Sequence, residues 1–327
     1  MNGKGSILVT GAAGEMGGRL ARRLRHDGWR VRGLVLPGDP LRSRLADLDC
    51  EIVDGDVRDV DSLGAAAAGV DVVYHVAAVI LARDPAVLDA VNRRGTANMI
   101  EAAARAGVGH FVYISSASVT YPRLTPYGAS KLAAERLVRA ETRLASTIVR
   151  PTLVYDHDGG QEFMLFLNYL RRFPVVPFIG PGTARKSPVL AADVVDGLAR
   201  MAKNPVTFGK TYNLSGGEAI TMEDLARLVL ERHGERKPFV HLPVSLCRLI
   251  AAAMNVAMKD PPLTQYGVTG FVTDADLDCG DAARDLGYQP RGARAGITAC
   301  FGPAPINENA RPRELEMREL EMKEETP

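Results

Sequence analysis

The sequence predicts an α/β fold: a doubly wound parallel sheet followed by a smaller C-terminal lobe. Three observations carry this reading. Short β-branched runs alternate with helical stretches through the first half of the 327 residues. A glycine-rich turn joins the first run to the first helical stretch, and after Arg150 the alternation gives way to clustered prolines. Strands alternating with helices are βαβ units, and their right-handed crossovers stack into a parallel sheet covered on both faces.

Taken in order, the predicted strands are Ser6–Thr10, Trp29–Leu36, Glu51–Val53, Asp71–His75, Phe111–Ser115 and Ser146–Arg150. Helices are predicted over Gly17–Asp27, Ala86–Ala106, Tyr127–Leu144 and, later, Thr221–His233. Residues 1–150 read as one nucleotide-binding domain. Residues 151–303 read as mixed segments that complete the sheet and form a substrate lobe, with Pro174, Pro177, Pro181 and Pro188 marking the change. Residues 304–327 contain a tandem pentapeptide, Glu314–Arg318 and Glu319–Lys323. A period of five fits neither a helix face nor a heptad, so a charged, disordered tail or a lone helix is expected.

Composition excludes several classes of function. The chain is 46% apolar and 24% charged, with a net charge of +1, so it lacks the basic surface of a general nucleic-acid binder. Its four cysteines (Cys50, Cys247, Cys279, Cys300) are far apart, and its six histidines show no ligand spacing. No metal is expected, and scattered thiols suit a reducing, cytoplasmic setting. Met1–Ser6 runs straight into a strand without the pattern of a secretory signal. The most lipophilic stretch, Leu242–Met258, is interrupted by Pro243, Arg248 and Asn255 and is too short and polar to span a bilayer. It reads as an amphipathic helix of the second lobe, with peripheral membrane contact as the alternative.

The turn itself is specific in its placement. Ile7–Thr10 leads into Gly11-Ala-Ala13-Gly14-Glu15-Met16-Gly17. Gly11 permits the tight turn, Gly14 lets backbone amides approach a pyrophosphate, and Gly17 lets helix pack on strand. This is the Rossmann arrangement, and it implies a dinucleotide. Cofactor choice rests on the end of the second strand, where Val35 and Leu36 offer no carboxylate for a ribose diol. Arg42 and Arg44 follow and could meet a 2′-phosphate or simply be solvated, so NADP or NAD is expected with a lean to NADP. Asp56 and Val57 stand at the end of the third strand, where adenine would lie. Ala77 and Ala78 are small enough for close approach of the cofactor, and Pro151 and Leu153, which follow the sixth strand, are expected to contact it as well.

The proton-transfer candidates come next. In Tyr127-Gly-Ala-Ser-Lys131 the spacing of four puts Tyr127 and Lys131 on one helix face. An ammonium beside a phenol lowers its pKa toward useful acid–base range, and Lys131 could also hold the nicotinamide ribose. Of the nine tyrosines, only Tyr127 has a lysine four residues on. Ser115–Ser118 close the fifth strand at the edge where open α/β sheets bind ligands, and a hydroxyl there could orient a substrate oxygen. His75 reads as packed rather than catalytic. Asn92 could brace Lys131 through water or serve as a structural hydrogen bonder.

Together these residues resemble the extended short-chain dehydrogenase/reductase family, also called the NAD-dependent epimerase/dehydratase group, from about Ser6 to Pro290. The resemblance implies Ser116 as the substrate-orienting hydroxyl, Tyr127 as general acid/base and Lys131 as the residue that tunes it and binds the ribose. It also implies a homodimer formed through Asn92–Ala106 and Tyr127–Leu144. Sugar-nucleotide members carry Asn three residues after the Arg of an Arg-Pro pair, whereas Arg150-Pro151 is followed by Thr152 and Leu153. Their Arg-Asp-Phe-like segment is also missing, Arg185-Lys-Ser-Pro-Val189 standing in its place. The pattern is nearer to 3β-hydroxysteroid dehydrogenase-like and dihydroflavonol reductase-like members, and to the nucleotide-binding accessory subunit of respiratory complex I.

Three departures stand out. Glu15 replaces the usual aromatic, Asp156-His157 replaces Gly-Pro, and only ten residues separate Ser116 from Tyr127. Ile80, Leu81, Phe163, Met164 and Phe166 are candidates for an apolar pocket or for core. The expected activity is therefore interconversion of a ketone and a hydroxyl on an apolar small molecule. A sugar-nucleotide epimerase or dehydratase, and a cofactor-binding accessory protein without turnover, are the alternatives.

Overall fold

The computed structural model describes residues 4–82, 84–157, 159–259 and 261–302. The first half runs β1 (Ser6–Thr10), α1 (Glu15–His26), β2 (Arg30–Val35), β3 (Glu51–Asp54), α2 (Val60–Ala67), β4 (Val72–His75), α3 (Pro85–Leu88), α4 (Gly95–Arg105), β5 (His110–Ile114), α5 (Pro126–Ala140) and β6 (Ala145–Pro151). The second half continues with β7 (Val154–Tyr155), α6 (Gln161–Arg172), β8 (Val176–Ile179), β9 (Arg185–Lys186), β10 (Val189–Leu190), α7 (Ala191–Ala199) and β11 (Thr211–Leu214). It ends with β12 (Ile220–Thr221), α8 (Met222–Arg232), β13 (Phe239–Leu242), α9 (Val244–Ala257), α10 (Gln265–Val272), α11 (Gly280–Leu286) and α12 (Ala293–Phe301).

Seven parallel strands form the main sheet in the order β11-β6-β5-β4-β1-β2-β3. The order reverses at β1, so a crevice opens between the C-terminal ends of β1 and β4. Successive side chains on a strand point to opposite faces, and both faces are filled. Ile7 and Val9 join Tyr74 and Val112 in one core, while Leu8 joins Val73, Phe111 and Ile148 in the other. Each fully buried side chain of this size contributes roughly 1.5–3 kcal/mol relative to exposure.

Two predicted helices differ in detail. The stretch predicted over Ala86–Ala106 is divided, because Asp89–Arg94 winds as a wider π-turn between α3 and α4. The wider turn directs Asn92 inward, where it is buried. The stretch predicted to Leu144 ends at Ala140, since Glu141 turns extended and its carboxylate accepts from the backbone and guanidinium of Arg143.

The second lobe is built from short pairs: β7 with β10, β8 with β13, and β9 with β12. Its core gathers Tyr155, Phe163, Phe178, Leu225 and Ile297. Helices α9 and α10 form a satellite through Cys247, Ala251 and Val268. Among the described residues, no helix is long and apolar enough to cross a membrane, and no group of metal-ligating side chains assembles. The expected tail at 304–327 lies outside the described residues.

Candidate active site

The glycine turn is as tight as its sequence demands. Gly11 takes φ +65°, and a Cβ there would sit 2.9 Å from the Cα of Ala77. A Cβ on Gly17 would sit 2.2 Å from the Gly11 carbonyl oxygen. Gly14 precedes α1 without any side-chain cap, which leaves the first amides of the helix available to an anion. Ala13 is buried and Met16 packs against the core below. Glycines where side chains would collide, uncapped amides and the small Ala77 and Ala78 fit a dinucleotide pyrophosphate.

A chain of polar groups runs under this turn. Thr10 Oγ1 accepts from the amides of Val76 (3.1 Å) and Ala77 (3.0 Å), so its own proton goes to His75 Nδ1 at 2.9 Å. His75 Nε2–H then donates to Thr96 Oγ1 at 3.0 Å, and Thr96 donates to the Asn92 carbonyl at 2.5 Å. Burial, with the nearby Lys131 charge second, pushes His75 down to about 3, in keeping with this neutral tautomer. Asn92 clasps both backbone groups of Val79 at 2.9 Å and donates to Ser130 Oγ at 3.0 Å. Ser130 donates to the Tyr127 carbonyl at 2.8 Å. The chain thus ties the cofactor turn to the start of α5, without a direct bond from Asn92 to Lys131.

Thr125 caps α5 by accepting from the Gly128 amide, and Pro126 occupies the first turn. A Cβ on Gly128 would lie 2.7 Å from the Ser118 carbonyl oxygen, so glycine allows α5 to press against the short 3₁₀ turn Ala117–Thr120. That approach brings Tyr127 near Ser116, whose hydroxyl acts to lower the phenol's pKa. Ser118 supports the arrangement by donating from its amide (3.1 Å) and hydroxyl (3.0 Å) to Ser116 Oγ. Ser115 is engaged elsewhere, donating to the buried Glu135 at 2.6 Å, which distinguishes the two adjacent serines.

Lys131 is 2% exposed, and its Nζ lies 4.4 Å from the centre of the Tyr113 ring. Among the described residues no hydrogen-bond acceptor meets that Nζ. Burial pushes the ammonium down to about 7, with Glu135 opposing. Burial also drives the Tyr127 phenol well above its ordinary 10.0; the Glu162 charge adds to this and the nearby Ser116 hydroxyl opposes it. The lowering of the phenol expected from the Tyr127–Lys131 spacing is therefore outweighed by desolvation.

The remaining sequence candidates separate into groups. Arg42 forms an ion pair with Asp54, both partly exposed. Asp56 accepts from the amide and guanidinium of Arg58, and Val57 is buried with its carbonyl accepting from Asn98 at 2.9 Å. Pro151 closes β6, and Leu153 packs on the lobe core. Phe163 is fully buried against Tyr155, so it belongs to the core and not to a pocket wall. Met164 and Phe166 are partly buried on that core, while Leu81 is exposed.

Glu15 faces the second lobe: its carboxylate accepts from the Gly160 amide at 2.6 Å. One turn along, Arg19 pairs with Asp156 at 3.0 Å. Two of the three departures from the family pattern, Glu15 and Asp156, thus each join α1 to the 156–160 segment, through Gly160 and Arg19 respectively. Sequence reading missed Lys186, which is buried, donates to the carbonyls of Gly270 (2.7 Å) and Thr273, and lies 5.8 Å from the Tyr121 ring. Its signal was the cationic pair Arg185-Lys186, noted only as a departure.

A profile of the NAD dependent epimerase/dehydratase family matches residues 7–215. The chain belongs to that family. It is an NAD(P)-dependent enzyme of the extended short-chain dehydrogenase/reductase type. Ceramide reductase of Caulobacter vibrioides is 36% identical over 203 residues, which is 62% of this chain and 62% of that protein. The 3 beta-hydroxysteroid dehydrogenase/Delta 5-->4-isomerase of Mycobacterium tuberculosis is 28% identical, covering 88% of this chain and 86% of the relative. Among solved structures, the dTDP-glucose 4,6-dehydratase of Streptomyces venezuelae with NAD bound superposes with a TM-score of 0.71 at 25% identity, covering 90% of this chain and 95% of that one.

Proposed function

We propose that this enzyme interconverts a ketone and a hydroxyl on an apolar, steroid-, aromatic- or lipid-like small molecule. The observation that carries it is the placing of Ser116 and Tyr127 together by the close packing of α5 on the Ala117–Thr120 turn, beside a buried Lys131 whose Nζ has no acceptor among the described residues. A bound nicotinamide cofactor would supply or accept the hydride. Gly11, Ala13, Gly14, Met16 and Gly17 would hold its pyrophosphate, and Lys131 its ribose.

In the reductive direction, Ser116 holds the substrate oxygen and Tyr127 gives it a proton. The phenol is protonated at neutral pH and can give up its proton, and a charged Lys131 and bound cofactor would offset the weakening of this acid by burial. Lys131, next along the same helix face, stabilises the phenolate that results and is poised by its own lowered pKa to share the proton. The partly buried Met164, Phe166 and Phe271 at the margin of the lobe core favour an apolar substrate. The names of the ceramide and steroid relatives point the same way. For the cofactor we take NADP, because Val35 and Leu36 bring no carboxylate and Arg42 is held at the surface only by an exposed ion pair of small worth. The protein would act as a homodimer pairing through α4 and α5.

The test is consumption of NADPH and NADH against a panel of steroidal, aromatic and aliphatic ketones, with Tyr127→Phe alongside. Turnover of a ketone that collapses in the variant supports the reading. Turnover of a sugar nucleotide with no ketone reduced would replace it with the epimerase or dehydratase reading.

A further inference from the structure

Helix α9 is held by one face only. Cys247 and Ala251 are buried against Val268 of α10 and Ile179 of β8. On the opposite side, Leu246, Leu249, Ala253 and Val256 recur at intervals of three and four and form a single stripe. Leu249 is 67% and Val256 90% exposed. Singly exposed apolar residues are ordinary, but a continuous stripe on one helix marks an interaction surface. Tyr266 of α10 and Met258, 52% and 43% exposed, extend it.

Charge indicates the occupant. From residue 238 to residue 273 the sequence carries Arg248 and Lys259 against a single acid, Asp260, and Arg123 shares the cleft beside Arg248; Lys237 is paired with Glu235. Arg248 flanks the stripe and, with Arg123, Gln265 and Thr269, lines a narrow cleft beside Thr125, where α5 begins. A partner protein of average charge would gain little from this pattern. An anionic bilayer surface matches both halves of it, taking the apolar stripe below the headgroups and the cations among them.

We propose that the stripe Leu246–Leu249–Ala253–Val256 of α9, with Arg248 at its flank, is a peripheral docking surface for an anionic lipid bilayer. Helix α9, with 14 residues, lies in the plane of the interface and does not span it. The surface adjoins the loop leading to Tyr127, so docking would set the candidate active site close to the membrane. The proposal concerns binding alone and stands whether or not the substrate reading above is right.

The experiment is cosedimentation of the full chain with vesicles of phosphatidylcholine mixed with phosphatidylglycerol, and with vesicles of phosphatidylcholine alone. Wild-type protein is expected to bind the mixed vesicles, less so as salt is raised. The double variant Leu249→Ser/Val256→Ser should lose about tenfold or more in partitioning. Arg248→Ala should lose about fivefold, and only with the anionic vesicles. All three side chains lie at the surface, so thermal stability and cofactor binding should be unchanged and serve as the folding control. Absence of binding to either vesicle, or binding that the double variant retains, overturns the proposal. So does a wild-type dimer that the double variant converts to monomer without vesicle binding, since the stripe would then be covered by a second copy of this chain.

Discussion

In the nucleotide half, β1 pairs with β2 and β4, β4 with β5, and β5 with β6, so most neighbours in the sheet are near neighbours in the chain. In the substrate lobe, Val176 of β8 meets Phe239 of β13, and Arg185 of β9 meets Thr221 of β12. The first region is a repeated local unit; the second is closed by long connections between strands of two to four residues. Loop closure between distant segments is entropically costly, so the lobe depends more heavily on its side-chain core. The two regions meet at the crevice through Glu15 with Gly160 and Arg19 with Asp156. The comparison teaches that the glycine turn and the Ser116, Tyr127 and Lys131 side chains sit in the repetitive half, and the proposed function leaves substrate choice to the half with fewer local constraints.

That division can be broken experimentally, beginning with the largest effect. Tyr127→Phe should lower kcat/KM by about 10²–10⁴-fold with Tm unchanged, as expected for loss of a general acid. A loss confined to KM would remove Tyr127 from the proton step. In the lobe, Phe178 stacks on Phe239 with ring centres 4.9 Å apart and touches Phe271. Phe178→Ala should cost about 3–5 kcal/mol in chemical denaturation. It should raise substrate KM while leaving cofactor affinity near wild type; an equal loss of both would deny the separation.

Acid offers a test of the nucleotide half alone. His75 is neutral in the folded protein down to about 3 and titrates near 6.5 when unfolded. Between those values the unfolded chain binds the extra proton, so the histidine's contribution is complete above about 6.5 and is lost as pH falls toward 3. Urea midpoints measured over that window should fall, and His75→Gln should flatten the slope. An unchanged slope would mean that other groups dominate acid unfolding. The smallest effect concerns the joint. Glu15→Gln removes the charge from an exposed hydrogen bond, and cofactor Kd should weaken by about two- to fivefold with kcat unaltered. A loss in kcat would assign Glu15 a part in the chemistry.

Much of the fold was legible because its signals are local. Ile7-Leu-Val9 is apolar on both faces, the pattern of a buried parallel strand, and β1 forms at Ser6–Thr10 as predicted. The predicted helix over Gly17–Asp27 begins slightly earlier, at Glu15, because Gly14 precedes the helix in an extended conformation. The π-turn at Asp89–Arg94 was not legible, since it serves Asn92's bonds to Val79 and Ser130, which come from other segments. At the site, the Tyr127–Lys131 spacing placed both on one face. Local pattern left Ser115–Ser118 open and the family resemblance pointed to Ser116; in the structure Glu135, twenty residues along the chain, engages Ser115. The rise of the Tyr127 phenol likewise depends on what surrounds it.

The sequence by itself determined the α/β class, the succession of strands and helices in the nucleotide half, the position of the glycine turn and the tyrosine–lysine pair. Those follow from periodicity and spacing, which act over a few residues and need no partner. Only the tertiary structure decided that Glu15 and Asp156 belong to one joint, that Lys186 is buried beside Tyr121, and that Phe163 is core. It alone decided which face of α9 is covered and which is left to solvent. Burial and desolvation set those outcomes, and both are properties of the folded surroundings that no short stretch of chain contains.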